Sequence, residues 1–430
     1  MGKKKKYTFI DLFAGAGGLS EGFVRAGFTP IAHIEMDKYA CDTLRTRAAY
    51  HYLLEKKELG IYKKYLSEKK EGENGEKLWN KVPATVTDSV IHETISSSTI
   101  ERIFQKIDSL KGKDSIDLII GGPPCQAYSI VGRSRMGKSV EEDPRNELYK
   151  FYVKFLERYT PKMFVFENVL GLKTAKNGEP LKDLEQLVHS IGYDMQMQIQ
   201  NASELGVLQR RQRLIIVGWK RDDVNAKGEK YCYPQLEKKK KGYAVLKDLF
   251  SDLPQRKEGE GKLTEIVSYT MPLTEMRYLK ESGIRNDLFE FTTQHVARPH
   301  NVNDREIYCL AIRQWYDKNK QLDYSKIPSH LQTHNNKKSF LDRYSVVNPD
   351  GCSHTVVAHL SKDGHYYIYP TPNPTVETAR SITVREAARL QSFPDDYFFE
   401  GSRGAAFKQI GNAVPVVLAY KIAKELKKQL

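Results

Sequence analysis

The stretch that most constrains the fold runs from Ile116 to Ser129. Ile116-Asp117-Leu118-Ile119-Ile120 is an apolar run of strand length. Gly121-Gly122-Pro123-Pro124 stops it at once with a rigid turn. A buried strand that ends so abruptly suits an open α/β sheet, where strand ends carry the reactive groups. Cys125 follows the turn directly. Two readings stand side by side. Cys125 is a small buried residue, as free cysteines commonly are, or its sulfur is held for chemistry by prolines that remove backbone freedom.

The segments around it alternate. Residues 7–12 read as a strand, followed by a glycine loop and a helix through Phe23 to Ala26. Residues 30–35 form a second strand ending at Glu35, residues 38–69 are helical in pattern, and 70–82 are a polar loop. Ala84 to Thr87 reads as a short strand ending at Asp88, before a helix over 99–110. After the cysteine loop come a helix to Tyr159, a strand over 162–166 ending at Glu167, a helix over 181–190, and strands over 193–200 and 213–219. Such alternation predicts βαβ units and a mostly parallel, Rossmann-like α/β sheet with helices on both faces. From Lys220 to about Pro370 the periodicity fades into charge runs (Lys238 to Lys241) with scattered His and Tyr. A strand is expected at His365 to Tyr369, a helix over 383–391, and a final helix from Val414 to Lys428. The expected division is 1–220 with 405–430 as a catalytic and cofactor domain, 221–404 as a smaller irregular domain, and 48–82 as an insertion in the first.

The 430 residues have room for two such domains. Five scattered cysteines with no C-x-x-C pair argue against a disulfide framework or zinc ribbon and for a reducing compartment. A net charge of +14 favours an anionic partner, most simply nucleic acid. No apolar run is long enough to span a bilayer, and the N-terminal lysines lead into no signal-peptide core, so a cytoplasmic location with no membrane partner is expected. His330, His334, Cys352 and His354 do not complete a ligand set, and no metal is expected.

Phe13-Ala14-Gly15-Ala16-Gly17-Gly18 lies between the first strand and first helix. Glycines there let a ligand approach the backbone, and a helix N-terminus favours negative charge. Glu35, about twenty residues on, is placed to accept bonds from ribose hydroxyls. Ser20 stands where a dinucleotide fingerprint has its third glycine, which disfavours NAD or FAD and suits S-adenosylmethionine; a glycine turn without a ligand is the alternative. Asp88 suits an adenine amino group or a helix cap. Glu167 would open on the same sheet edge as Cys125, and a thiolate beside a carboxylic acid suits nucleophilic attack coupled to proton donation. In Gln209-Arg210-Arg211-Gln212-Arg213, alternation puts Arg211 and Arg213 on one face. They either protect a strand edge or hold an anion and lower a thiol pKa.

Taken in order, Asp11 to Gly22, Gly122-Pro123-Pro124-Cys125-Gln126, Glu167-Asn168-Val169, Gln209 to Arg213, Thr383 to Leu390 and Gly411-Asn412-Ala413-Val414-Pro415 resemble the DNA (cytosine-5)-methyltransferases, bacterial modification type. The resemblance covers nearly everything outside 48–82 and most of 220–340. It implies Cys125 as the nucleophile on C6 of a cytosine flipped from the duplex. It implies Glu167 on the N3 and amino edge of that base, with Arg211 and Arg213 holding the base and orienting the nucleophile. The methyl group would come from S-adenosylmethionine bound by Phe13, Ala14, Gly15, Gly17, Gly18, Glu35, Met36, Asp88, Ser89, Pro123 and Asn412. Flipping is needed because C6 is inaccessible inside the stack. Gln126, Ser129, Arg133 and Arg135 fall in the stretch resembling the loop that closes on DNA. Arg343 and Thr355 fall in the part resembling the target-recognition core. The implied partners are double-stranded DNA and, in a bacterial setting, a cognate restriction endonuclease, with the enzyme a monomer. A tRNA cytosine-5 methyltransferase, a catalytically silent DNA-binding protein and a Rossmann oxidoreductase are the rival readings. The lysine-rich 220–375 region favours DNA over tRNA.

Overall fold

The computed structural model describes residues 6–124, 147–225, 227–238 and 242–430. Cys125, Gln126, Ser129, Arg133 and Arg135 lie outside the described residues. Among those described, strands β1 (Tyr7–Leu12), β2 (Phe28–Glu35), β3 (Val90–His92), β4 (Leu118–Gly121), β5 (Met163–Asn168), β6 (Tyr193–Asn201) and β7 (Gln212–Lys220) make one sheet in the order β3-β2-β1-β4-β5-β7-β6. The first five run parallel. β7 is antiparallel to both of its neighbours. The parallel sheet expected from the sequence therefore ends in a reversed strand inserted between β5 and β6. The chain reaches that position through Ala202 to Arg211, a connection too short for a parallel crossover, which takes about a dozen residues.

Successive strand residues point to opposite faces, and both faces are covered. Phe9, Leu118, Ile120, Met163 and Val165 pack with Leu19 and Phe23 of α1 (Gly18–Arg25) and with Leu418 and Ile422 of the last helix. Ile10, Leu12, Ile119, Phe164 and Phe166 pack on the other side with Ile103 and Ile107, and with Tyr152 and Leu156. The helices behind these contacts and the rest of the chain are α2 (Lys38–Lys56), α3 (Leu59–Glu68), α4 (Glu76–Trp79), α5 (Ala84–Asp88), α6 (Ile100–Lys111), α7 (Leu148–Tyr159), α8 (Glu179–Ser190), α9 (Arg277–Ser282), α10 (Val302–Lys318), α11 (Val384–Leu390), α12 (Arg403–Asn412) and α13 (Val416–Lys427).

Four local expectations are corrected. The helical stretch 38–69 is two helices, because Lys57 takes φ 62° and turns the chain. The loop 70–82 contains α4. Ala84 to Asp88 is a short helix, with the strand beginning only at Val90. His365 to Tyr367 is a 3-10 turn, and Ile368 makes only isolated bridges to Val346 and Ser381. In the last two cases β-branched and aromatic residues suggested strands, but no continuous partner strand lies alongside.

Elsewhere local chemistry sets the ends. Asp37 caps α2 by accepting from the backbone N–H groups of Tyr39 and Ala40. Thr383 and Glu386 form a reciprocal capping box on α11. α11 is buried all round, in one apolar cluster with Ala16, Leu208, Phe393 and Ala413. A separate cluster, built on Ile307, Tyr308, Tyr324, Tyr344 and Ile368, forms the core of the 302–379 region.

Candidate active site

β1, β2, β4 and β5 deliver their C-terminal ends to one edge of the sheet. Gly121 lies opposite Leu12 on one side and Phe166 on the other, so the segment leading to Cys125 leaves the sheet between the glycine loop and Glu167. A Cβ at Gly122 would come within 2.6 Å of Glu167 Oε2, and the Pro123 carbonyl accepts from Asn168 Nδ2 at 3.4 Å. A side chain at 122 would have to move the Glu167 carboxylate, which lies directly against the start of the Pro-Pro loop. Arg213 enters from β7, the strand paired with β5. Its Nε is 2.8 Å from Glu167 Oε1, and both side chains are only 13% exposed. Burial lowers the Arg213 guanidinium from its usual pKa, an effect the Glu167 charge opposes.

Arg211 does something different. Its side chain is buried, donating from Nη1 to the Val356 carbonyl at 2.6 Å and from Nη2 to the carbonyls of Ala413 at 2.9 Å and Gly411 at 3.2 Å. Burial, and then the charge of Arg213, push its pKa well below the ordinary guanidinium value. Gln209 belongs to the same junction. It donates to Leu390 O and Gln391 Oε1 and accepts from the Val356 N–H. The run 209–213 thus divides by position. Gln209 and Arg211 tie three distant segments together, and Arg213 faces the carboxylate.

The glycine loop is bent by positive backbone angles. Phe13, Gly15 and Gly17 take φ of 58°, 54° and 78°. A Cβ at Gly15 would meet nothing within 4 Å, whereas one at Gly17 would strike Leu44 and Tyr397, and one at Gly18 would strike the Val414 carbonyl at 2.3 Å. One glycine therefore borders open space, and the other two let the backbone pack against the rest of the chain. Glu35 at the end of β2 accepts from the N–H groups of Gly15 (2.8 Å), Met36 (2.9 Å) and Asp37 (2.8 Å). The Met36 side chain beside it is 61% exposed, an apolar surface at the mouth of the loop. Ala14 is bonded to the same strand end through Ile34 O. Asn412 is exposed at the end of α12, between the two carbonyls that Arg211 holds.

Asp88 and Ser89 are not brought to this edge. They precede β3, whose Val90 pairs with His33 and whose His92 pairs with Glu35. They therefore sit level with the middle of β2, and Ser89 turns its hydroxyl onto the Val86 carbonyl. The residue at the Glu35 end of β3 is His92, which bonds the Met36 carbonyl through Nε2 at 3.1 Å. Ending the strand at Asp88, four residues before its actual end, hid it. Arg343 is buried and donates to the carbonyls of Asn336, Ser339 and Phe340. It stands behind a loop in which residues 335–340 are all exposed, Lys337, Lys338 and Phe340 among them. Thr355 is half-buried and donates to the Arg210 carbonyl at 2.6 Å.

A family model for C-5 cytosine-specific DNA methylases matches residues 7–65 and 83–428. The match runs through 220–340, where the sequence alone suggested little resemblance, and breaks only inside the 48–82 insertion. A type II methyltransferase of Bacillus paralicheniformis, M.Bpa9945I, is 39% identical, covering 97% of this chain and 98% of its own length. M.XorII of Xanthomonas oryzae pv. oryzae is 30% identical, covering 98% of this chain and 84% of its own. The solved structure of a prophage-encoded DNA modification methyltransferase (E. coli) shares the fold with a TM-score of 0.59, at 22% identity and with 99% of each chain covered.

Proposed function

Since the chain belongs to the C-5 cytosine-specific DNA methylase family and is a DNA (cytosine-5)-methyltransferase, we propose that it acts on a cytosine flipped out of duplex DNA through a covalent bond from Cys125 to C6. The observation that carries this reading is the meeting of Gly122, Glu167 and Arg213 at one sheet edge beside the glycine loop. A base entering there meets a partly buried carboxyl group at the point where the Pro-Pro-Cys segment begins.

In this reading the Cys125 thiolate adds to C6, and Glu167 bonds the N3 and amino edge of the ring. Proton donation at N3 relieves the negative charge that addition pushes into the pyrimidine. Arg213 holds Glu167 in place and adds positive charge beside the base. Arg211 acts one step back, keeping the Gly411 to Ala413 turn and Val356 against the site. The open space at Gly15, the carboxylate of Glu35 and the exposed Met36 fit a nucleoside bearing a charged sulfonium. Phe13 to Gly18, Glu35, Met36, Pro123 and Asn412 are the residues that would hold S-adenosylmethionine. That cofactor supplies an electrophilic methyl group to C5. Loss of the C5 proton, return of the N3 proton to Glu167 and expulsion of the Cys125 thiolate from C6 then release the product. The Lys337, Lys338 and Phe340 loop, backed by Arg343, is the surface offered to DNA. The relatives' designation as type II methyltransferases supports a cognate restriction endonuclease as the partner in the cell.

The test is methyl transfer from labelled S-adenosylmethionine to duplex DNA and, in parallel, to tRNA, with wild type and Cys125→Ser. Label in duplex DNA is expected, lost in Cys125→Ser with DNA binding retained. Label entering tRNA alone would overturn the substrate, and full activity in Cys125→Ser would overturn the nucleophile.

A further inference from the structure

Tyr397 is far from the glycine loop in sequence and touches it in the fold. Its hydroxyl donates to the Ala16 carbonyl at 2.6 Å. Its ring is buried against Phe393 and Phe399, with centroids 4.8 and 5.2 Å away. The Ala16 carbonyl lies between Gly15 and Gly17, both at positive φ. Glycines choose among backbone conformations with little preference of their own, so an outside hydrogen bond decides which way this peptide faces. A Cβ at Gly17 would stand 2.9 Å from the Tyr397 hydroxyl, so the contact is as close as the backbone allows.

Tyr397 is itself held from behind. Arg47 of α2 donates to Asp396 Oδ1 at 2.8 Å and to both oxygens of Glu21 on α1, and its guanidinium lies 4.7 Å from the Tyr397 ring. Tyr62 of α3 donates to the Asp396 carbonyl at 2.8 Å. Tyr65 donates to Glu400 Oε1 at 2.6 Å, and Lys69 lies 2.9 Å from Glu400 Oε2 with its side chain only 4% exposed. Lys69 also donates to the carbonyls of Glu73 and Asn74, closing the turn after α3. A buried ion pair is costly to desolvate and is a poor source of stability in itself. What this one does is seat the 59–82 segment on the 396–400 turn from which Tyr397 projects.

We propose that Tyr397 is a positioning residue for the methyl-donor loop, and that α3 with its following turn is the brace that holds it there. The inference rests on the reading that the glycine loop receives S-adenosylmethionine. It gives the insertion a role in cofactor affinity.

The test is calorimetric titration of the full chain with S-adenosylmethionine, together with steady-state methylation, for wild type, Tyr397→Phe, Tyr62→Phe and the double variant. Tyr397→Phe removes one hydroxyl and keeps the ring. Its Kd and KM for S-adenosylmethionine are expected to rise about fivefold, the worth of one ordinary hydrogen bond, with kcat at saturating cofactor changed less than about twofold. Tyr62→Phe shifts affinity the same way by a smaller factor. The double variant adds little to Tyr397→Phe, because one residue acts through the other. Unchanged affinity in Tyr397→Phe, with only a lower melting temperature, would overturn the proposal. Should Tyr397→Phe not fold, unchanged affinity in folded Tyr62→Phe overturns it. A wild type that does not bind S-adenosylmethionine overturns the cofactor reading on which the proposal stands, a result distinct from either.

Discussion

A carboxylate, a guanidinium and a glycine meet at the sheet edge where we propose the chemistry takes place. Glu167 is 13% exposed, so its charge needs a partner, and among the described residues Arg213 supplies one. Removing Arg213 leaves the carboxylate without its cation and the base without a positive neighbour. Arg213→Ala is therefore expected to lower methylation by about a hundredfold or more, the scale of losing an acid–base group. Binding of S-adenosylmethionine, measured by calorimetry, should change less than about twofold, because the Arg213 guanidinium is bonded to Glu167 and to the Gln212 carbonyl. Loss of cofactor affinity in parallel with activity would show the two pockets to be one. Gly122 is equally exacting. Any side chain there must displace Glu167 Oε2 from 2.6 Å, so Gly122→Ala is a substitution of the active site although it removes no functional group.

At the scale of elements, the run before β7 couples the two halves of the chain. Arg211 satisfies carbonyls from 356, 411 and 413, and Gln209 bonds 356, 390 and 391. Arg211→Met keeps bulk and leaves the buried carbonyls of Val356 and Gly411 without their donor, while the Ala413 carbonyl keeps Gln391 Nε2 at 3.2 Å. Each lost donor costs about 1–3 kcal/mol, so a loss of at least about 2 kcal/mol in unfolding free energy is expected by urea denaturation. A stability change under about 1 kcal/mol would mean that these carbonyls find other donors and that Arg211 is not the strut described. The insertion shows the same logic on the opposite flank. Tyr50, Leu53, Tyr62, Tyr65 and Leu66 form an apolar cluster with Phe289 and Phe398, so α2 and α3 pack against segments hundreds of residues away. The buried tyrosines of α2 and α3 make these helices part of the frame.

Across the whole molecule, two buried histidines tie stability to pH. His33 on β2 bonds Ser20 Oγ at 2.7 Å, and His295 bonds Thr383 Oγ1 and the Pro254 carbonyl. Burial pushes each down to about 4. In the unfolded chain each returns to about 6.5. Below that pH the unfolded state takes up protons that the folded state refuses, so stability is full above about 6.5 and falls as pH drops towards 4. The slope approaches about 1.4 kcal/mol per pH unit for each histidine. Unfolding free energies measured from pH 7.5 to 5 should fall, and His33→Gln and His295→Gln should each flatten the curve by up to one proton. An unchanged slope in both variants would remove them as its cause. The same molecule-wide view separates what each level decided. Local sequence determined the glycine loop, Glu35, the Pro-Pro stop after β4, Glu167 and the capping box at Thr383. Each depends on backbone freedom, apolar periodicity or capping within a few residues, and such signals are written in neighbouring positions. The sequence alone also placed the alternating α/β order, since each strand must be buried on both faces. Only the tertiary structure decided that β7 runs backwards, that Asp88 lies before its strand with His92 opposite Glu35, and that Arg211 and Arg213 part company. It alone put Tyr397 under Ala16, 381 positions away in the chain. These depend on which distant backbone carbonyl or carboxylate a side chain meets, and no local periodicity encodes that.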